Sequence, residues 1–201
     1  MKTYVNSVKL HGVITDLCGV VTTRNGAEYQ KFMLTVKRLS ETEDILPIVI
    51  SMRGIPDCIR IGAEVTVVGT IVVDIDNPFA EKTHLLLSVN AHEVAEESAE
   101  DCNEVEIEGP ICKLPILRDT PLGRTVCDTM LMASAGSNNP IPCILWGNVA
   151  REMSELGLYS HLNVVGRLQS RVYTKETEEG SETRVFYEVS AFTAKCTKRR
   201  E

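Results

Sequence analysis

The sequence predicts an all-β chain made of two copies of one small barrel domain, and three observations carry that expectation. The first is a repeat. Asn6-Ser7-Val8-Lys9-Leu10-His11-Gly12 returns 97 positions later as Asn103-Glu104-Val105-Glu106-Ile107-Glu108-Gly109. The same offset superposes Gly26 on Gly123, Leu34 on Leu131 and Val67-Val68-Gly69 on Val164-Val165-Gly166. A repeat of this length is a whole domain, not a solenoid unit. The second observation is that each copy alternates short β-rich runs with Gly, Pro, Asn and Asp punctuation. The third is that one short stretch, in the second copy, fits a helical period.

Taken in order, the first copy offers strands near 5–14, 29–39, 45–52, 64–73 and 84–94, and the second near 104–113, 126–134, 141–146, 161–173 and 184–195. Between the third and fourth strands of the second copy, Val149, Met153 and Leu156 recur at i, i+4 and i+7, and Gly157 can end the helix. The counterpart in the first copy, Ile55-Pro56-Asp57-Cys58-Ile59, is shorter and holds a proline. Five strands with a helix between the third and fourth is the layout of the OB-fold, a Greek-key barrel used for oligonucleotides and oligosaccharides. The expected organisation is two tandem OB-folds, with domains 1–95 and 103–201 joined by an acidic linker over 96–102.

Charge supports that division. The chain carries a net −7. Residues 1–95 hold 9 basic and 11 acidic side chains, 96–108 hold 7 acidic and none basic, and 109–201 hold 12 basic and 10 acidic. The acidity therefore belongs to the junction, and the second copy alone is mildly cationic. Glu96-Glu97-Ser98-Ala99-Glu100-Asp101 is a like-charge run poor in apolar residues. It reads as a solvated spacer whose self-repulsion holds the domains apart, or as an acidic mimic of nucleic acid that folds over a basic face.

The seven cysteines are odd in number and never spaced C-x-x-C, and the four histidines lack any H-x3-H or HExxH spacing. Reduced, buried thiols are expected instead of disulfides or a metal site. No nucleophile, acid and base pairing is visible, so neither an enzyme nor a cofactor nor a small-molecule substrate is expected. The chain has no apolar run of 18 residues and no signal-like start, so a cytoplasmic protein without a membrane partner is expected.

The copies differ most along one strand. Alternation puts Asn163, Val165, Arg167, Gln169, Arg171 and Tyr173 on one face of the strand that starts at His161. Charge for phosphates and rings or guanidinium planes for bases suit an extended nucleic acid. The first copy has Thr70, Val72, Asp74 and Asp76 in place of Arg167, Gln169, Arg171 and Tyr173, while the Val-Val-Gly of the barrel stays. Trp146, the only tryptophan, corresponds to Ser51 once a two-residue loop gap is allowed. A core role would be hard to fill with serine, whereas a surface platform can be dropped without unfolding the domain.

These residues bring the second copy to a known family. Gly109-Pro110-Ile111, the run Leu117-Arg118-Asp119-Thr120-Pro121-Leu122-Gly123-Arg124, Ile141-Pro142-Cys143-Ile144-Leu145-Trp146-Gly147 and Val164-Val165-Gly166-Arg167-Leu168-Gln169-Ser170-Arg171-Val172-Tyr173 occur in the order in which similar motifs occur in bacterial single-stranded DNA-binding protein (SSB). The second copy resembles that family along essentially its whole length, and the first shares the barrel skeleton. The resemblance implies barrels assembled in fours and single strands held by stacked aromatics and cations. It makes Trp146 and Tyr173 the stacking residues and Arg167 and Arg171 the cations on the same path; Gln169, on the same strand face, and Arg124, in the preceding turn, complete the expected nucleic-acid site.

The pattern departs from the family at three places. The loop Ala135-Gly136-Ser137-Asn138-Asn139-Pro140 has no aromatic, Asp128 faces outward, and the chain ends in the basic Thr197-Lys198-Arg199-Arg200-Glu201. The expected protein is a non-catalytic single-stranded DNA binder in replication, recombination and repair, a homodimer that supplies four barrels. The other reading is a protein-interaction module of the primosomal accessory type, built on the same barrel without DNA binding.

Overall fold

Alternating burial writes the barrel walls. Val8 and Leu10, then Phe32, Leu34 and Val36, then Leu46, Ile48 and Ile50, point inward in successive strands of the first half, and Ile107, Leu131, Ile141, Leu145, Leu162 and Val164 do so in the second. Each large side chain sealed from water contributes about 1.5–3 kcal/mol. The computed structural model describes residues 5–23, 25–38, 40, 42–76, 84–133, 139–177 and 180–198. The elements are β1 (Asn6–Thr22), β2 (Glu28–Lys37), β3 (Glu43–Ser51), β4 (Glu64–Asp76), β5 (His84–Glu96), β6 (Cys102–Asp119), β7 (Thr125–Leu131), β8 (Ile141–Trp146), α1 (Gly147–Met153), β9 (His161–Thr177) and β10 (Gly180–Lys198).

In the first half β1 pairs with β2, β2 with β3, β3 in parallel with β5, β5 with β4, and β4 with β1. The ring is closed. In the second half β6, β7, β8, β10 and β9 close in the same order, again with one parallel contact, between β8 and β10. The class is all-β, as the sequence predicts, and five strands closed around one core with α1 at the end of β8 make an OB-like barrel. The first half has a run of turns over 52–62 where α1 would stand. Helix α1 ends at Met153, short of the expected Gly157, because a turn through Leu156 follows, and Leu156 is buried all the same.

Glycine keeps the rings tight at equivalent places. A Cβ on Gly12 would lie 2.2 Å from the Thr35 carbonyl oxygen, and one on Gly109 would lie 2.3 Å from that of Met132, its repeat partner. Gly69 and Gly166 are equally close to the carbonyl oxygens of Asn90 and Ser190, at 2.3 and 2.2 Å. No side chain fits there without moving backbone. Asn6 grips both backbone groups of Ile71, donating to the oxygen at 2.9 Å and accepting from the nitrogen at 2.8 Å, and Asn103 does the same to Leu168 at 2.8 and 2.8 Å.

The halves are not held apart, which corrects the spacer expectation. β1 and β6 pair antiparallel over Asn6–His11 and Cys102–Ile107, so a ten-stranded sheet runs through both barrels. Asn6 opposes Ile107 and Leu10 opposes Asn103, and the repeat exchanges these two pairs. The seam therefore has two-fold pseudosymmetry, in which each patch meets its own copy, as in an isologous interface. Residues 97–101 are exposed coil between β5 and β6, and like charges beside a hydrogen-bonded ladder do not outweigh it.

Strands outrun their sequence limits where hairpins leave the barrel. β1 continues to Thr22 through two register shifts, and β9 and β10 stay paired out to Thr177 and Gly180. Bulges bend a strand without ending its pairing, and apolar periodicity does not show them. Among the described residues no helix is long and apolar enough to cross a membrane, and no group of three His, Cys, Asp or Glu side chains is placed to hold a metal ion. Cys58, Cys127 and Cys143 are buried, but Cys18 and Cys196 are exposed, so burial holds for fewer cysteines than their apolar neighbours predict.

Candidate nucleic-acid interface

The outer face of the second barrel is set by strand register. Across β7 and β8, Val126 opposes Trp146, Asp128 opposes Ile144 and Met130 opposes Pro142. β10 then places Ser190 beside Ile144, and across to β9 the pairs are Ser190 with Arg167, Glu188 with Gln169, Phe186 with Arg171 and Arg184 with Tyr173. Neighbouring strands are roughly 4.8 Å apart, so these rows form one continuous face.

The expected site residues are brought together unequally. Trp146 lies half-buried on this face, and its indole N–H donates to the Ser190 hydroxyl at 3.0 Å, which fixes the ring while leaving part of it open. Tyr173 is 51% exposed and meets Phe186 edge to face, with ring centres 6.4 Å apart. Arg171 is exposed beside them. Arg124 is exposed in the β6–β7 turn, closed by hydrogen bonds from its own N–H to the Thr120 hydroxyl and from Gly123 N–H to the Thr120 carbonyl. The same turn in the first half carries Ala27 at that place.

Two placements differ from the sequence expectation. Gln169 points outward but is only 7% exposed, and its amide donates to Glu188 at 2.8 Å. Its hydrogen-bonding capacity is taken by a cross-strand neighbour, so it does not share the open face. Arg167 is half-buried, with its guanidinium 5.6 Å from the centre of the Phe192 ring. Its pKa is lowered, by burial first and by the nearby Arg38 charge second, while Asp44 opposes the shift. Asp128, which faces outward as expected, is neutralised by a two-pronged ion pair with Arg118. The loop residues 135–138 and the basic end 199–201 lie outside the described residues.

Side chains of β10 join the site unannounced by the reading of β9 alone. Phe186 is 36% and Phe192 58% exposed, and both belong to the outward set of β10. Alternation from Arg184 through Phe186, Glu188 and Ser190 was the available signal, and the bulge at Phe192 breaks it. A cleft of about 300 Å3 opens here, walled by Lys113, Met130, Pro142, Arg171 and Phe186, with Leu85 contributed by β5 of the first half. A second cleft, about 260 Å3, lies in the first half between Ser51, Arg53, Pro56 and His92. No Phe, Tyr or Trp lines it, so it lacks the base-stacking surface of the other, and carboxylates line both, Glu93 here and Asp128 and Glu188 there.

Two solved structures of single-stranded DNA-binding protein from Thermus aquaticus, the wild type and a deletion mutant, superpose on the whole chain. For the wild type the TM-score is 0.76 at 21% identity, covering 100% of this chain and 96% of that one, and for the mutant 0.76 at 20%, covering 100% and 98%. The chain has the fold of bacterial SSB. The N-terminal domain of PriB from Thermoanaerobacter tencongensis, described as dimeric, is 33% identical over 47% of this chain and 98% of its own, with a TM-score of 0.36. No protein-family model matches the chain, and no curated protein matches it. In an OB barrel the ligand side is the face of the second and third strands with the loops after the first and fourth. In the second half those are β7, β8, the β6–β7 turn that carries Arg124 and the connection from β9 to β10; Trp146 and Arg124 lie on that side, whereas Arg167, Arg171 and Tyr173 stand on β9.

Proposed function

We propose that the chain is a pair of tandem OB-folds that binds single-stranded DNA, largely without regard to sequence, through its second barrel. The observation that carries this reading is the outer face of β8, β10 and β9. Four aromatic rings, Trp146, Phe186, Phe192 and Tyr173, stand there with Arg167 and Arg171. A ring offers every base the same stacking surface and an arginine offers every phosphate the same charge, so affinity without sequence preference follows. The first barrel, mainly architectural, holds the second by β1–β6 pairing. Replication, recombination and repair are the processes that expose such strands. A homodimer of this chain supplies four barrels and two such faces on one particle. Fluorescence anisotropy of labelled oligo(dT) against the same length of duplex tests the reading: the single strand binds, and the duplex does not compete.

One observation favours the second reading, an interaction module. The β6–β7 hairpin exposes Leu114, Ile116, Leu117 and Leu122, apolar side chains suited to a protein contact. Under that reading oligo(dT) leaves the anisotropy unchanged, and charging this hairpin abolishes assembly.

A further inference from the structure

We propose that Asp44 and Arg38 of the first barrel are positioning residues for the nucleic-acid face of the second: by holding β9 at Ser170 they keep Arg171 and Tyr173 where a bound strand meets them. The proposal rests on the DNA-binding reading for what the face binds, but not for the hold itself.

The far part of β9 lacks a strand on one side. Its pairing with β6 ends at Val105 and Gly166, and among the described residues no other strand takes that edge further along. From there β9 and β10 run as a two-stranded ribbon out to Thr177 and Gly180. Such a ribbon twists more than a sheet and is only marginally stable alone. Backbone groups two residues apart point to the same edge. On this edge those of Leu168 are bound by Asn103, and the next, those of Ser170, are bound from the other barrel.

Asp44 accepts from the Ser170 N–H at 2.7 Å and from its hydroxyl at 3.1 Å, and Arg38 Nη2 reaches the Ser170 carbonyl at 3.5 Å. An acceptor and a donor thus stand where a neighbouring strand would put them. Arg38 also fixes the carboxylate, with Nε donating to one oxygen and Nη2 to the other, both at 2.6 Å. Asp44 is fully buried, so water does not compete for this hold.

Ser170 directly precedes Arg171, which opposes Phe186 across the ribbon. The first barrel supports the same place a second time, because Leu85 of β5 lines the cleft together with Arg171 and Phe186. A ribbon released from Asp44 would carry Arg171, Tyr173 and Phe186 away with it. Hydrogen bonds to phosphate weaken steeply with distance and angle, so affinity falls when the donor drifts. The first barrel thereby raises DNA affinity without touching DNA.

The test uses the full chain with Arg38→Met and Asp44→Leu together. The hold on Ser170 is lost, but apolar side chains of similar size replace the ion pair, an exchange that is often neutral for stability. Circular dichroism checks the fold, hydrogen exchange reads the ribbon, and oligo(dT) affinity is measured against salt. Expected are faster exchange over residues 170–173, a several-fold weaker affinity, and a log–log salt slope shallower by about 0.7, the share of one lost phosphate contact. Adding Arg171→Ala then costs little more, because the hold acts through that residue. Ser170→Ala removes only the hydroxyl bond and serves if the double variant does not fold; its smaller loss is likewise absorbed by Arg171→Ala. Folded variants that bind as the parent does make the pair purely structural, and losses that add in full to that of Arg171→Ala place its effect elsewhere. Either result overturns the proposal. If the parent ignores oligo(dT), the DNA reading fails separately. The hold then stands as what positions this face if exchange over residues 170–173 rises in the variant, and it is rejected if exchange is unchanged.

Discussion

Asp44, in β3, accepts two hydrogen bonds from Ser170 in β9, from the backbone N–H at 2.7 Å and from the hydroxyl at 3.1 Å, and so closes the open edge of a strand in the other barrel. It is fully buried and carries the Arg38 ion pair as well. Asp44→Ala strands a cation and an N–H together. Breaking a buried pair in this way costs about 3–5 kcal/mol. Equilibrium urea unfolding measures it, and Asn139→Ala, which removes an uncharged contact to Val73, should cost less, about 1 kcal/mol.

Gly69→Ala and Gly166→Ala should destabilise alike. Each adds a Cβ 2.2–2.3 Å from a backbone oxygen, a clash that only a shift of the neighbouring strand relieves. A loss of about 1–3 kcal/mol or more is expected in both. Thermal melts of the two variants compare the barrels directly. A large loss at one glycine and none at the other would mean that the two rings do not share their packing.

How far the sequence can be read is plain at these positions. The repeated glycines and asparagines mark what both barrels need, and every expected strand and the helix are present, although β1 and β6 run on to Thr22 and Asp119, well past their expected ends. Asn6 and Asn103 act over short backbone distances that the repeat preserves. The seam was not legible, because β1–β6 pairing uses the same alternating residues that any barrel strand shows. Nor was the burial of Gln169, since alternation gives the direction of a side chain but not what covers it. Asp44 and Ser170 are unremarkable in the chain and become a pair only when two barrels meet.

Division of labour between the barrels predicts an asymmetry in substitution. Arg171→Ala removes an exposed cation from the aromatic face, and Lys31→Ala removes one from the outer face of the first barrel. The first should weaken oligo(dT) binding several-fold and make the salt dependence shallower by about 0.7 in log–log slope. The second should change neither. Equal losses would give the first barrel a share in binding. Light scattering of the parent protein gives the mass, with twice the chain mass expected.

Thiol labelling should follow burial. Burial first, and the Asp128 charge second, push the Cys127 thiol up to about 11, and burial pushes Cys143 higher still. At pH 8 roughly one Cys127 in a thousand is thiolate, the form that alkylates. Raising the pH towards 11 increases that fraction. Iodoacetamide on the native protein should therefore modify Cys196 and Cys18, the exposed pair, and spare Cys58, Cys127 and Cys143 until denaturant is added. Mass spectrometry of the labelled peptides reads the order.

Stacking of bases on Trp146 and Tyr173 is the central claim, and the single tryptophan reports on it directly. Each ring stacked on a base contributes about 1–3 kcal/mol, so Trp146→Ala and Tyr173→Ala should each weaken binding by roughly five- to 150-fold with the fold intact. The decisive measurement is titration of the parent protein with oligo(dT), followed by tryptophan fluorescence at several salt concentrations. The account predicts saturable quenching whose affinity falls with salt at a log–log slope near −2, about −0.7 for each of three phosphate contacts at Arg124, Arg167 and Arg171. Fluorescence that stays constant through the titration at low salt, in protein shown to be folded, would contradict it.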